Sequence, residues 1–301
     1  MERSPAQASP ATTPARAGLS RRPAALAPLV RAILLHALLV LALVATSVPF
    51  LWMIGGSFKT NDDLFGNILA LLPSAPTLQN YTDLLGGSQI PYLRQFINSS
   101  EVATSTTLLT LAVSSLVGYG FAKFEFRFKR PLFLIVLATL MVPAQVTLVP
   151  LFLLMHTFGW LDDFKALVIP ASISAFGVFF MRQSMLGVPT ELLDAGRIDG
   201  ATEFGLYRRI ALPLTRAGLT VLGILVFLGA WNDFLWPVIV LQSDTNMTVP
   251  VGLASLVGLY KVHYGMIMAG AFLSTLPIII AFLLLRNQFL SGLTAGAFKG
   301  A

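Results

Sequence analysis

The chain has 301 residues, 55% of them hydrophobic and only 11% charged, with twenty Lys and Arg against fourteen Asp and Glu. A mean hydropathy of +0.77 and several uninterrupted apolar runs of membrane-crossing length exclude an ordinary soluble domain, in which roughly a quarter of residues are charged. The absence of cysteine excludes disulfides and thiolate metal sites. The net charge of +6 is scattered over loop ends instead of gathered on one face, which fits topology signals and argues against a nucleic-acid footprint.

Residues 1–30 are rich in Ala, Pro, Ser and Arg and read as a flexible cytoplasmic tail, because such a segment buries too little surface to order itself. The remainder, 31–301, reads as an all-α integral membrane domain with six spans. The first covers about 32–54, and its charge-free run is too long for the core of a secretory signal. The second, 101–122, carries Ala103, Thr107, Ser114 and Gly118 at near-helical spacing, a stripe read as packing toward a partner subunit. The third runs from Pro131 to about 155, the fourth covers 166–185, the fifth 215–240 and the sixth 265–286. Prolines at 143, 150 and 170 are expected to kink these spans, since Pro is tolerated in membrane helices.

Charge fixes the expected orientation. With the N-terminus in the cytoplasm, sixteen Lys and Arg fall on inside segments and four (Lys59, Arg94, Lys165 and Lys261) on outside ones, as the positive-inside rule requires. Both termini are then cytoplasmic. External loops fall at 57–98 and 242–264, a cytoplasmic coupling loop at 186–217, and a C-terminal cytoplasmic tail at 290–301. The 242–264 loop, "QSDTNMTVPVGLASLVGLYKVHY", reads equally well as a functional loop or as a surface hairpin.

The most polar segment lies between two greasy runs: "DAGRIDGATEFGLYRRIALP", Asp194–Pro213, with six ionised residues in twenty. It reads as helix, glycine turn at Gly200, helix, with Thr190 available as a cap and Phe204, Tyr207 and Ile210 near one face. An amphipathic helix lying on the membrane surface explains the arginines. It does not explain Asp194, Asp199 and Glu203, which an anionic lipid surface repels. A docking surface for another protein is the alternative.

Inside the membrane, Asp233 is the one acidic residue well within a span, beside Asn232 and between Trp231 and Trp236. An intramembrane carboxylate among aromatics suits a translocation path. About 18 residues into its span, it equally suits the aromatic belt at the outer interface. Gln145 beside Pro143, with Ser172 and Ser174 after Pro170, are further path candidates or helix-to-helix hydrogen bonders. His36, His156 and His263 stand apart from one another, so no metal site is expected.

Asp194-Ala195-Gly196, three residues, Gly200, nine residues, Ile210, one residue, then Leu212-Pro213 resembles the EAA loop of ABC-importer permeases, with every spacing kept. "RIDGA" (Arg197–Ala201) is similar to its form in binding-protein-dependent carbohydrate importers. "GAWNDFLWPVIVL" (Gly229–Leu241) resembles their fifth helix. "GLTAGAFKG" (Gly292–Gly300) is similar to the tail of the maltose-transporter permease subunit with short periplasmic loops. Asp194 and Gly196 replace the loop's Glu and second Ala, and Arg216-Ala217 follows where a proline is common; Gly196 weakens the first helix by up to about 1 kcal/mol relative to Ala.

The resemblance implies a type I ABC-importer permease fold in the inner membrane of a prokaryote. It implies a role as the transport subunit for a sugar or oligosaccharide, not an enzyme. Asp194, Ala195, Asp199, Gly200, Ala201, Glu203, Phe204, Ile210, Leu212 and Pro213 would form the ATPase-coupling surface. Asp199 and Glu203 would meet basic groups on the ATPase, and Phe204 would anchor the contact. The implied partners are a second, non-identical permease, two ATPase copies and an extracytoplasmic solute-binding protein. The chain has no phosphate-binding Gly-x-x-x-x-Gly-Lys-Ser/Thr motif, so ATP and Mg would belong to the ATPase and no cofactor to this chain. Importers of glycerol phosphate or polyamine and an ion-coupled secondary transporter are the rivals. The second would carry several buried ionisable groups.

Overall fold

A computed structural model describes residues 26–66, 70–257 and 262–297, with side chains described for residues 28–66, 70–257 and 262–284. The described residues are helical, with one isolated antiparallel bridge between Val257 and Val262. In chain order the helices are α1 (Leu26–Ser57), α2 (Asn61–Gly66), α3 (Gln79–Leu85), α4 (Tyr92–Lys123), α5 (Lys129–Thr139), α6 (Ala144–Thr157), α7 (Lys165–Ser172) and α8 (Ala175–Leu186). Then follow α9 (Thr190–Ile198), α10 (Glu203–Leu206), a π-helical turn (Tyr207–Ala211), α11 (Leu212–Leu214), α12 (Arg216–Trp231), α13 (Leu235–Val240), α14 (Val249–Ser255) and α15 (Tyr264–Ala297).

The chain divides into two units, residues 1–50 and 51–301. What is described of the first is the greater part of α1, starting at Leu26, five residues before the expected boundary. Of the expected tails, 1–30 and 290–301, residues 1–25 and 298–301 lie outside the described residues; the rest is helical, since α1 begins at Leu26 and α15 runs on to Ala297.

Among the described residues three helices are long and apolar enough to cross a membrane, and up to six if each bent pair counts as one span. The bent pairs are α5 with α6 at 96°, α7 with α8 at 41°, and α10–α11 with α12 at 78°. Pro143 stands at the first break as the cap of α6, whereas Pro150 and Pro170 sit inside α6 and α7. The fifth expected span is also interrupted: α12 ends at Trp231 and α13 resumes at Leu235.

In the second unit α4 is the central helix, packed along α7, α8 and α12. Its small residues explain why. A Cβ at Gly118 would lie 2.8 Å from Met181 Cβ and Arg182 N, and one at Gly223 would lie 3.3 Å from Leu111. Ala103 and Ser114 are fully buried. The stripe expected to face a partner is thus used within the chain, because glycine and serine let α4, α8 and α12 approach at backbone distance. The helix also begins nine residues earlier than expected, at Tyr92. Its first turns bury Gln95, Asn98 and Ser99.

Candidate coupling surface and membrane path

The Asp194–Pro213 segment folds as helix, turn and helix, for local reasons. α9 ends in a Schellman motif: Gly200 N–H donates to Arg197 O at 3.0 Å and Ala201 N–H to Gly196 O at 2.9 Å. The motif needs its C′ residue in the left-handed region, and Gly200 has φ +81°. Thr202 then caps α10, its hydroxyl accepting from Gly205 N–H at 3.1 Å. Thr190, expected as a cap, is the first residue of α9 and makes no capping bond; Pro189 occupies the cap position.

The π-helical turn absorbs Pro213. Leu212 N–H donates to Tyr207 O, an i to i−5 bond that inserts one residue before a proline that cannot donate.

A buried cluster of Tyr119, Met181, Met185, Leu193, Leu206, Tyr207, Ala211 and Leu222 fastens the segment to α4, α8 and α12. Ala201, Ile210 and Leu212 pack against it. Three polar contacts add direction. Tyr207 and Ser115 hydroxyls are 2.7 Å apart, Lys123 Nζ donates to Val188 O at 2.6 Å, and Tyr119 Oη donates to Glu203 at 3.5 Å. Gly196 has a packing role: a Cβ there would lie 2.5 Å from Leu206 Cδ2 and 3.3 Å from Ile210 Cδ1. What costs helix propensity allows α9 to close on the next turn.

Arg197 is the electrostatic centre. Its Nη1 donates to Asp194 at 2.6 Å, while Nε and Nη2 donate to the two oxygens of Glu203 at 2.7 and 3.3 Å. The hydrogen bonds from Arg197 hold the Glu203 carboxyl below the usual carboxylate range, against a smaller opposing effect of burial. Glu203, expected to meet a basic group on the ATPase, is paired within this chain to Arg197. Asp199 is exposed, as are Ala195 and Pro213. So are two large apolar side chains, Phe204 at 62% and Ile198 at 87%. The surface thus exposes two large apolar side chains beside an ion cluster in which one guanidinium ties two carboxylates. The sequence reading missed Ile198 and the part played by Arg197. The Asp194–Arg197 pair is legible as an i, i+3 spacing, but the bond to Glu203 crosses the glycine turn and is not.

The path candidates separate. Trp231 is buried, stacks on Phe227 at 5.7 Å and donates through Nε1 to Ser274 O at 3.1 Å. It shares a cavity of about 280 Å³ with Asn232, Ser274 and Thr275. Asp233 sits partly buried in the break between α12 and α13. The peptide N–H groups that the break frees at Phe234, Leu235 and Trp236 offset only part of what its burial costs. Trp236 lies apart, donating to Ala166 O at 2.9 Å. Gln145 is exposed near the start of α6 and joins none of these.

At the other end of α4, polar side chains hold the segment after Leu241. Asn98 Nδ2 donates to Thr245 O and Met247 O at 2.8 and 3.0 Å, Gln95 Nε2 to Asp244 O at 3.2 Å, and Ser99 Oγ accepts from Val249 N–H at 2.8 Å. Asp162, at φ +60°, accepts from the Gln242 and Ser243 N–H groups and from the Ser243 hydroxyl. Burial alone would raise its pKa, but the hydrogen bonds from Ser243 and Gln242 outweigh it and leave the carboxyl below the usual range.

A bundle of apolar, repeatedly broken helices with a polar helix–turn–helix fastened to one end defines a membrane transport subunit, and the comparisons give its kind. Residues 111–289 match the family described as "Binding-protein-dependent transport system inner membrane component". The chain belongs to that family. The arabinooligosaccharides transport system permease protein AraQ of Bacillus subtilis is 41% identical over 254 residues, covering 84% of this chain and 90% of that one. The lactose transport system permease protein LacG of Rhizobium radiobacter is 34% identical over 258 residues, covering 86% and 93%. In fold, the chain is similar to one in a crystal structure of a bacterial ABC transporter involved in the import of the acidic polysaccharide alginate. The TM-score is 0.80 at 19% identity, over 88% of this chain and 98% of that one.

Proposed function

We propose that this permease imports a sugar or short oligosaccharide, with the Asp194–Pro213 segment as its contact with a separate ATPase. The relatives at 41% and 34% identity, named for arabinooligosaccharides and lactose, support the substrate class. The exposure of Phe204 and Ile198 on a segment otherwise locked into the bundle supports the contact. Exposed large apolar side chains are what an interface core uses. Asp199 and the backbone at Gly200 lie beside them; Asp194 and Glu203 act through Arg197 to fix the shape.

In this reading six spans, counting each bent pair as one, place both termini and the coupling segment in the cytoplasm. The 242–264 segment then lies outside, where a solute-binding protein delivers its load. A second permease completes the path, and two ATPase copies carry the ATP and Mg. Trp231 and Asn232 line this chain's share of the path, and Asp233 holds the helix break beside them. ATP-bound closure of the ATPases would move the docked segment and, through α4, the bundle.

The test is purification of the tagged full chain from its native membrane in mild detergent, with mass spectrometry of what accompanies it. The expected companions are a P-loop ATPase and a second permease, and sugar uptake that stops when ATP is depleted. A chain recovered alone, with uptake driven by an ion gradient, would overturn the reading.

A further inference from the structure

On the coupling segment's side of the bundle lies a second feature, built from other residues. Between the end of α4, the start of α5 and α8 lies a pocket of about 830 Å³ whose charged lining groups are Lys129, Arg130, Arg182 and Glu125. Arg182 lies 4.2 Å over the Phe133 ring, which is itself stacked at 6.5 Å on Phe179. Its Nε is buried and has no hydrogen-bond partner among the described residues. Among the described residues no carboxylate pairs with Arg182, so the guanidinium lining the pocket is available to an anion that the chain does not supply. Lys129 is paired at 2.8 Å with Glu125, a carboxylate 89% exposed. Three cations against one carboxylate leave the pocket positive.

The walls are apolar. Leu134 and Leu186 line the pocket at 63% and 47% exposure, and Ile135 beside Leu134 is 61% exposed. On a span helix such a face meets acyl chains. A phosphate held by guanidinium groups next to a lipid-facing wall is the arrangement that takes a charged lipid head. We infer that the pocket between α4, α5 and α8 binds the phosphate of an anionic glycerophospholipid through Arg182 and Arg130, with the acyl chains along Leu134 and Leu186. The inference rests on the proposed orientation only in naming the leaflet, which is the cytoplasmic one.

The test is native mass spectrometry of the full chain, in whatever assembly it is purified, titrated separately with phosphatidylglycerol, chain-matched phosphatidylcholine and inorganic phosphate. Wild type is expected to retain phosphatidylglycerol at least about tenfold better than phosphatidylcholine. Each cation removed should weaken it about fivefold. The double variant R130Q/R182Q should therefore fall to the phosphatidylcholine level, R182K should recover part of the loss, and Arg216→Gln should bind as wild type. If the double variant does not assemble, Arg130→Gln alone, an exposed side chain, must still show the fivefold loss. Undiminished phosphatidylglycerol binding in Arg130→Gln or the double variant would overturn the proposal. So would complete displacement by millimolar inorganic phosphate, which would make this a site for the free anion. Because lipid retention is read on the chain with or without companions, it can fail or succeed independently of the ATPase reading.

Discussion

Gly200 separates two explanations that ordinarily travel together. Within this chain it is the C′ residue of a Schellman motif at φ +81°, and that alone favours glycine. A Cβ at this position would meet no atom of the chain within 4 Å, so the only internal penalty of Gly200→Ala is the left-handed backbone, about 1–2 kcal/mol. That shifts the local hinge equilibrium about five- to thirtyfold. Asparagine tolerates the same backbone at lower cost. If the residue serves only the turn, Gly200→Asn should transport nearly as well as wild type and Gly200→Ala less well. If an ATPase surface closes on the open space beside it, Asn and Ala should both lose most uptake. Gly200→Trp should then abolish uptake with insertion unchanged. The assay is uptake of labelled oligosaccharide in cells lacking the native chain, normalised to membrane-inserted protein. Normal uptake in Gly200→Trp would refute the docking role, and wild-type uptake in Gly200→Asn would reduce the glycine to a helix stop.

Three further outcomes follow from the polar contacts. Arg197→Met leaves Asp194 and Glu203 without their shared partner, so a spin label at position 199 should become more mobile while the cluster beneath stays folded. An unchanged spectrum would show that the ion cluster does not shape the surface. The pH dependence has a definite sign. The folded-state pKa of Glu203 is depressed, so its contribution is complete above the unfolded value of about 4.3 and is lost as pH falls through the lower folded value. Label mobility in the otherwise native chain should be flat from pH 8 to 6 and rise only below about pH 4; loosening between pH 7 and 6 would contradict the assignment. Asn98→Leu deprives the Thr245 and Met247 carbonyls of their donor in two part-buried bonds, at about 1 kcal/mol each, the low end for a group left unpaired. Protease cleavage within 242–248 should accelerate about tenfold or more, and an unchanged rate would mean that other contacts hold the segment.

The architecture was legible where one physical rule dominated. Apolar run length located the span regions, and Gly200 announced its turn because few other residues adopt positive φ. Chain breaks were harder. The pairs α5–α6 and α7–α8 read as single spans because a window of hydropathy does not register a 96° or 41° change of direction. Asp233 is the clearest case. As a residue type in an apolar run it signals a path in an unbroken helix, yet here it stands at a break, where freed backbone N–H groups offset part of the cost of burying it. The same limit hid Gln95, Asn98 and Ser99. Their partners lie about 150 residues away, and no local spacing reveals that the polar start of α4 is a fastening for Thr245 and Met247. Gly196 misled in the opposite direction, because propensity counts the backbone cost of glycine and not the space it leaves for Leu206.

These fastenings give α4 a particular mechanical position. Ser115, Tyr119 and Lys123 on its last turns hold the coupling segment, and Gln95, Asn98 and Ser99 on its first turns hold the 242–249 segment. From Asn98 to Tyr119 is about 32 Å at 1.5 Å per residue, close to the roughly 30 Å hydrocarbon thickness of a bilayer. One unbroken helix therefore joins the two polar ends, while α5–α6, α7–α8 and the entry to α12 are all bent. A rigid connection transmits displacement without needing a chain of rearranging side chains, whereas the breaks beside it are where backbone angles can change at low cost. On the proposed reading, a push on Phe204 and Ile198 would reach the Asn98 end as a tilt or shift of α4. The Asp233 break, lying beside the Trp231 and Asn232 cavity, is where that tilt would be absorbed. The division of labour follows from sequence: α4 is packed by small residues and has no internal proline, and the helices that must flex are the ones that carry their breaks at Pro143, Ser174 and Asp233.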